Sequence, residues 1–188
     1  MVDFSAQPQA VGYYAPARFD AEIFDCEVRG AIPVDLRGAF YRLHADWLYP
    51  PRFRDDASLA ADGYISAFRF RDGAVDYRGR YVRTDRFERQ RAARRQLYGY
   101  YRNPYTDDRE VRNLEDPGER TTSNTTPVIL AGRLYATKED GLPYRIDPNT
   151  LETLGREDFG GEWRSQTFTA HPKLDPATGE LIAFGYEA

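Results

Sequence analysis

The chain has 188 residues, of which 41% are hydrophobic and 30% charged, and its formal net charge is −4. This length is enough for one domain with a sizeable core, and the 14 tyrosines and 11 phenylalanines favour β-rich packing. No run of 18 apolar residues occurs and residues 1–5 lack a basic start, so the sequence predicts neither a transmembrane segment nor a signal peptide. Cys26 is the only cysteine, which excludes an internal disulfide and predicts a cytoplasmic protein.

Residues 1–35 are predicted to form an extended N-terminal arm, and residues 36–188 an all-β domain. Prolines and glycines interrupt the arm so often that no long periodic stretch survives in it. A first short strand is expected at residues 39–43.

Three hairpins are predicted after this strand. In the first, an Asp72-Gly73 turn joins alternating runs at 64–71 and 74–82, which is the strongest short hairpin signal. In the second, Ala131-Gly132 joins residues 126–130 to residues 133–137. A third hairpin is expected to pair residues 166–171 with residues 180–186 around a loop at 172–179. The Gly132 and Gly179 turns lie 47 residues apart, which is close to the blade period of a β-propeller.

A helical insertion is predicted near residues 85–98, between the first two hairpins. Asp85 can serve as its N-cap, and six arginines lie between Arg83 and Arg95. Such a cluster can bind nucleic acid, but the chain is acidic overall and shows no nucleic-acid-binding fold pattern. We interpret the arginines as a solvated helix face that pairs with Asp85 and Glu88, and expect no nucleic-acid partner. Contact with another anionic partner stays open as a weaker alternative.

Candidate chemistry concentrates at one histidine. The sequence contains no nucleophile elbow, glycine-rich phosphate loop or paired-cysteine zinc motif. His44 and His171 are the only histidines, and His171 lies between a β-prone run and the turn at Pro172. Imidazole suits iron, and its second ring nitrogen can be fixed by a neighbouring acceptor. A lone histidine before proline is more often a structural turn residue, however, so the residues alone predict a β-rich soluble domain without an assigned function.

Several segments, in the same order, resemble the carotenoid cleavage oxygenases. Phe-Thr-Ala-His-Pro-Lys at 168–173 resembles the segment that carries one of that family's four histidine ligands to a non-haem iron(II). Ala-Asp-Gly-Tyr-Ile-Ser-Ala-Phe-Arg-Phe at 61–70 resembles the segment that leads into its first hairpin. Leu-Pro-Tyr at 142–144, followed by Asp-Pro-Asn-Thr-Leu-Glu-Thr at 147–153, is similar to a third segment of that family. The resemblance extends over roughly residues 38–185.

Two further segments are similar to the lignostilbene dioxygenase branch of this family. Tyr-Arg-Asn-Pro-Tyr-Thr-Asp-Asp at 101–108 contains Tyr101, for which the resemblance implies a hydrogen bond to the substrate phenol. Thr-Lys-Glu-Asp at 137–140 contains Lys138, for which it implies contact with the same phenol, because an ammonium can stabilise a phenolate. Turn packing of Tyr101 and a solvated strand end at Lys138 are the structural alternatives. Leu59 stands where that branch has a phenylalanine stacked on the substrate, which leaves the aromatic preference of this substrate-binding position open.

The resemblance implies that the chain is the N-terminal portion of a seven-bladed β-propeller. His171 would be the first of four histidine ligands to Fe(II), the other three lying beyond Ala188, and His44 would be structural. The implied reaction uses molecular oxygen to cleave a carbon–carbon double bond of a stilbene-like phenol to two aldehydes. Tyr101 and Lys138 would be its catalytic and substrate-binding residues.

Two alternatives stay open. An apocarotenoid-cleaving enzyme of the same fold would act on a long apolar polyene and would need neither Lys138 nor Tyr101. A non-catalytic propeller fragment would act as a binding module. If the parent protein is the enzyme, this chain alone is expected to be inactive. A homodimer of the full-length protein is compatible with the resemblance.

Overall fold

The computed structural model describes residues 2–5, 7–112 and 116–185, in which two four-stranded antiparallel sheets form the framework. The first sheet has the spatial order β1-β4-β3-β2. Its strands are β1 (Ala21–Ile23), β2 (Gly38–Asp46), β3 (Asp62–Arg71) and β4 (Ala74–Tyr81). The predicted hairpin around Asp72-Gly73 is confirmed, and both turn residues take the left-handed conformation that such a turn requires, with φ of 51° and 79°.

The second sheet has its four strands in chain order, as expected of a propeller blade. They are β5 (Thr126–Leu130), β6 (Arg133–Thr137), β7 (Tyr144–Ile146) and β8 (Thr153–Arg156). The predicted hairpin around Ala131-Gly132 has the bounds that the sequence indicated, and Thr126 lies directly opposite Thr137 in its register.

The third predicted hairpin is wrong in its position. Residues 166–171 form no strand, and the pairing lies further along, between β9 (Lys173–Leu174) and β10 (Leu181–Ile182). Hydroxyl groups explain the difference, since Ser165 and Thr169 accept the backbone N–H groups of Thr167 and His171 and so compete with a ladder. Residue 186, at the predicted end of the returning strand, lies outside the described residues.

The helical insertion is present as helix α1 (Asp85–Ala93), which ends before the predicted limit at residue 98. Thr84, rather than Asp85, is its N-cap: the Thr84 hydroxyl accepts the Phe87 N–H at 3.1 Å. The helix stops because Arg94 takes a left-handed conformation, with φ of 56°. The arginines in and beside this helix mostly pair with carboxylates. Arg83, which precedes the helix, and Arg91 within it each lie 3.5 Å from Glu88.

One hydrophobic core joins the two sheets. Its buried members come from the strands and loops of both: Leu43, Ile65, Ala67, Val82, Leu134, Ala136, Tyr144, Ile146 and Leu151. The predicted arm is tied to this body at residues 21–23, because β1 pairs with the edge of β4. Division of the chain at residue 35 stays a prediction. None of the helices in the described part of the chain has the length and apolar composition of a membrane span.

Candidate functional site

A run of small polar residues crosses between the two sheets and organises the site. Residues 121–124 are buried although all four are threonine, serine or asparagine. The segment fits closely against β3, where the Gly63 N–H donates to the Thr122 carbonyl at 3.0 Å. The Asn124 side-chain amide donates to the carbonyls of Leu59 and Ala61, at 3.1 and 2.8 Å. The polar run therefore holds the entrance to β3 in place.

Lys138 and Tyr101, separated by 37 positions in the sequence, meet at this end of the sheet. Lys138 follows the last residue of β6 and is only 1% exposed, so the alternative of a solvated strand end does not hold. Its Nζ atom lies 4.7 Å from the centroid of the Tyr101 ring, a cation–π distance. Glu139 joins the two: its Oε1 accepts the Tyr101 hydroxyl at 2.5 Å and lies 3.5 Å from Lys138 Nζ.

The electrostatics of this cluster keep Tyr101 protonated. Burial, the nearby Asp140 carboxyl and the hydrogen bond to Glu139 all raise the pKa of Tyr101. Burial opposes ionisation of Glu139, but the hydrogen bond from Tyr101 and the Lys138 ammonium lower its pKa on balance. Burial raises the pKa of Asp140, against the hydrogen bond that Thr121 donates at 2.6 Å. A phenol donor and a buried cation therefore converge on one acceptor oxygen.

Leu59 lies on the 3₁₀ turn Ser58–Ala60, which leads towards this cluster. Its side chain is 52% exposed, while the next residue, Ala60, is buried in a small apolar cluster against which Tyr101 packs. The Leu59 side chain is thus largely open to solvent beside this cluster. Its role in substrate binding stays a prediction.

His171 is exposed and lies in the loop before β9. Its Nδ1 atom is 3.1 Å from the hydroxyl of Thr126, and its Nε2 atom has no hydrogen-bond partner among the described residues. An imidazole with one ring nitrogen hydrogen-bonded can present the other nitrogen to a metal. Within residues 2–5, 7–112 and 116–185, no group of three or more histidine, cysteine, aspartate or glutamate side chains could hold a metal. The residues present fit one ligand to iron and no more.

His171 and Lys138 are linked through Thr137. The Thr137 hydroxyl lies 3.0 Å from the carbonyl of Thr126 and 3.0 Å from that of Ala170, the residue before His171. Thr137 directly precedes Lys138, and its buried hydroxyl contacts the residue before His171. The predicted phenol contact and the predicted metal ligand are therefore positioned by one residue. His44 is not part of this arrangement. It lies in β2 with its ring centroid 5.3 Å from that of Tyr64, and burial lowers its pKa.

Sequence reasoning named Lys138 and Tyr101 but assigned no role to Glu139, Thr126 or Thr137. It also gave no role to the polar run at 121–125, which directly precedes the second predicted hairpin. The available signal was five consecutive small polar residues directly before a strand, a composition that loops and buried hydrogen-bonding segments share.

A buried arginine supports the site from the helix side. Arg86 is 2% exposed, and its guanidinium donates to the Ala60 carbonyl at 2.5 Å and lies 3.8 Å from Asp62. Its guanidinium carbon is 4.8 Å from the centroid of the buried Tyr98 ring. Helix α1 is therefore attached to the sheet through Arg86, the buried one of its arginines.

Comparisons with known proteins identify the family. The family model described as retinal pigment epithelial membrane protein (RPE65) matches residues 14–188. A resveratrol cleavage oxygenase 1 of Chaetomium globosum is 49% identical over 98% of this chain and 30% of its own length. An isoeugenol monooxygenase of Pseudomonas nitroreducens is 49% identical over 96% of this chain and 37% of its own length.

Solved structures give the same answer for the fold. The crystal structure of Pseudomonas brassicacearum lignostilbene dioxygenase superposes with a TM-score of 0.91 at 45% identity, covering 99% of this chain and 38% of that one. The chain thus spans about a third of the length of these relatives. Its two four-stranded sheets are part of a β-propeller, as predicted. The chain belongs to the RPE65 family of carotenoid cleavage oxygenases.

Proposed function

We propose that the protein carrying this chain is an iron(II)-dependent oxygenase that cleaves the carbon–carbon double bond of a 4-hydroxystilbene-like substrate. The overall change adds both atoms of molecular oxygen across the alkene and gives two aldehydes. Compounds named in three of the relatives, lignostilbene, resveratrol and isoeugenol, all combine a phenol with a conjugated double bond. The single cysteine supports a cytoplasmic location.

The observation that carries the proposal is the convergence of Lys138 and Tyr101 on one oxygen. Glu139 Oε1 accepts from the Tyr101 hydroxyl and lies 3.5 Å from the Lys138 ammonium. A phenolic oxygen of a substrate can use the same two partners, because it accepts a hydrogen bond and gains negative charge as it ionises. The cluster is therefore suited to bind a phenol and to favour its ionised form.

Each residue then has a stated task. On substrate binding, Tyr101 would donate its single hydroxyl proton to the phenolic oxygen instead of to Glu139, and its raised pKa keeps that proton in place at neutral pH. Lys138, almost fully removed from solvent, places a positive charge beside that oxygen, where screening by water is weak. Leu59 contributes apolar surface to the ring. Electron release from the ionised phenol into the conjugated alkene makes the double bond more reactive towards oxygen.

His171 would hold iron(II) through Nε2, together with three ligands from outside the described residues. When bound, iron(II) supplies the activation of molecular oxygen. Two features of His171 fit this role: its Nδ1 atom pairs with the Thr126 hydroxyl, and its Nε2 atom is left for a metal. A homodimer of the protein is part of this proposal only by family resemblance.

An apocarotenoid-cleaving oxygenase is the rival within the same fold. A polyene chain has no phenol to engage Lys138, so the buried ammonium opposite it would keep only Glu139 and the Tyr101 ring as partners. The position of Lys138 therefore favours the phenolic substrate.

The test compares Lys138→Met with wild type in the full-length protein, assayed for aldehyde formation from 4-hydroxystilbene and from stilbene itself. Loss of a charged partner at a desolvated site costs about 2–5 kcal/mol, so kcat/KM for 4-hydroxystilbene should fall at least about thirtyfold. Iron content and turnover of stilbene should be unchanged. Lys173→Met is the matched control, because Lys173 is the other lysine and lies exposed in β9. Wild-type activity of Lys138→Met on 4-hydroxystilbene would contradict the proposal.

A further inference from the structure

A cross-strand pair of threonines contacts the segment that carries His171 at two points. Thr126 at the start of β5 and Thr137 at the end of β6 lie directly opposite each other in the hairpin register. Directly opposed residues of an antiparallel pair project their side chains on the same face of the sheet. Both hydroxyls can therefore reach the segment that carries His171.

The two hydroxyls contact different parts of that segment. Thr126 Oγ1 lies 3.1 Å from the imidazole Nδ1 of His171. Thr137 Oγ1, which is fully buried, lies 3.0 Å from the Ala170 carbonyl and thus fixes the peptide just before the histidine. One contact sets the position of the backbone and the other sets the rotation of the ring.

The ring contact also selects a tautomer. A neutral imidazole carries one N–H, and a nitrogen that binds a metal must be unprotonated. If the proton is on Nδ1, it can be donated to Thr126 Oγ1, which leaves the lone pair of Nε2 free. Because Thr126 is a neutral acceptor, it orients the ring without adding a negative charge next to the metal, as a carboxylate would.

We propose that Thr126 is a positioning residue for metal binding by His171, acting by accepting the Nδ1–H hydrogen bond, with Thr137 holding the preceding peptide. This inference rests on the proposed function, in which His171 is an iron ligand. It adds that the hydroxyls of two opposed threonines on one hairpin determine the position and ring orientation of that ligand.

The test measures Fe(II) affinity of the full-length protein by competition with a chromogenic chelator. Thr126→Val, which keeps the shape of the side chain but removes the hydroxyl, should weaken iron binding by about 10–100-fold. Thr126→Ser, which keeps the hydroxyl, should retain nearly the wild-type affinity. Cobalt(II)-substituted protein provides a second measurement, since a rotated imidazole shifts the visible absorption bands of Thr126→Val relative to wild type.

Thr153→Val is the matched control, because Thr153 starts β8 of the same sheet and its hydroxyl accepts the Arg83 N–H at 2.9 Å, without touching His171. It should bind iron as wild type does. If Thr126→Val does not accumulate as folded protein, Thr126→Ala removes the hydroxyl without an apolar methyl against the imidazole and must show the same loss. Wild-type affinity in these Thr126 variants, or an equal loss in Thr153→Val, would overturn the inference.

His171→Ala separates this inference from the proposed function. Retention of iron by His171→Ala would overturn the ligand assignment itself. Loss of iron in His171→Ala together with full retention in Thr126→Val would refute only the positioning role. His44→Ala should keep its iron in either case.

Discussion

At Gly63 even a single added methyl group should lower the stability of the protein substantially. A Cβ atom at residue 63 would lie 2.3 Å from the Ser123 carbonyl oxygen and 2.8 Å from that of Thr122. Both obstacles are backbone atoms, so no side-chain rotation can relieve the overlap. Relief requires the buried segment 121–124 to move away from β3, which also breaks the hydrogen bond from Gly63 N–H to the Thr122 carbonyl.

These two effects give the magnitude for Gly63→Ala. Overpacking of a well-packed interior costs typically about 1–3 kcal/mol, and loss of a buried hydrogen bond adds about 1 kcal/mol. We therefore expect the free energy of unfolding of the full-length protein to fall by about 2–4 kcal/mol, measured as a lower midpoint in urea. Displacement of the polar run should also reduce turnover, because residue 124 is followed within two positions by Thr126.

Gly118→Ala is the control for this substitution. Its added Cβ would meet Asp116 Oδ1 at 3.0 Å and Arg156 Nη1 at 3.3 Å, which are ends of side chains that can move. It should cost much less than Gly63→Ala. Equal unfolding free energies for wild type and Gly63→Ala would show that the contact between β3 and the polar run is not as close as described.

Two further predictions concern the ligand surface and the response to pH. Leu59→Phe should lower KM for 4-hydroxystilbene by about 2–10-fold, because an aromatic pair contributes about 0.5–1.5 kcal/mol. Leu154→Phe is the control, because Leu154 is about equally exposed, and it should leave KM unchanged. An unchanged KM in Leu59→Phe would show that Leu59 does not contact the substrate. Burial raises the pKa of Asp62 from 3.8 to about 6, so its contribution to stability is present below about pH 4 and is lost as the pH rises through 6. Asp62→Asn should make the decline in melting temperature over that range shallower, though not flat, because burial raises the pKa of Asp56 to about 6 as well. Parallel curves for wild type and Asp62→Asn would contradict this assignment.

Local sequence signals were sufficient for the first two hairpins because their turns are chemically distinct. Asp72-Gly73 and Ala131-Gly132 both take positive φ values, and alternating runs flank each pair. The third hairpin failed because Ser165 and Thr169 hydroxyls satisfy backbone groups locally. Such competition between side chain and ladder leaves no trace in the alternation pattern.

The site was predictable only in part, and for a different reason. Lys138, Tyr101 and His171 were proposed from family resemblance, and the structure brings Lys138 and Tyr101 together across 37 positions. Glu139 and Thr126 were missed because their roles depend on which long-range neighbour they face. A residue that is polar in sequence can be solvated, as Lys173 is, or 1% exposed, as Lys138 is.

The sheet order β1-β4-β3-β2 has a consequence for synthesis on the ribosome. All strands of the first sheet lie within residues 21–81, and all strands of the second within residues 126–156. Among the residues that the structure describes, the strands of each sheet pair only with strands of the same short stretch of chain. At about 5–20 residues per second, the roughly 45 residues between β4 and β5 take at least about two seconds to emerge, whereas hairpins form in about 1–10 μs. The first sheet can therefore pair its own strands before the second is translated, so the two sheets form in the order of their synthesis.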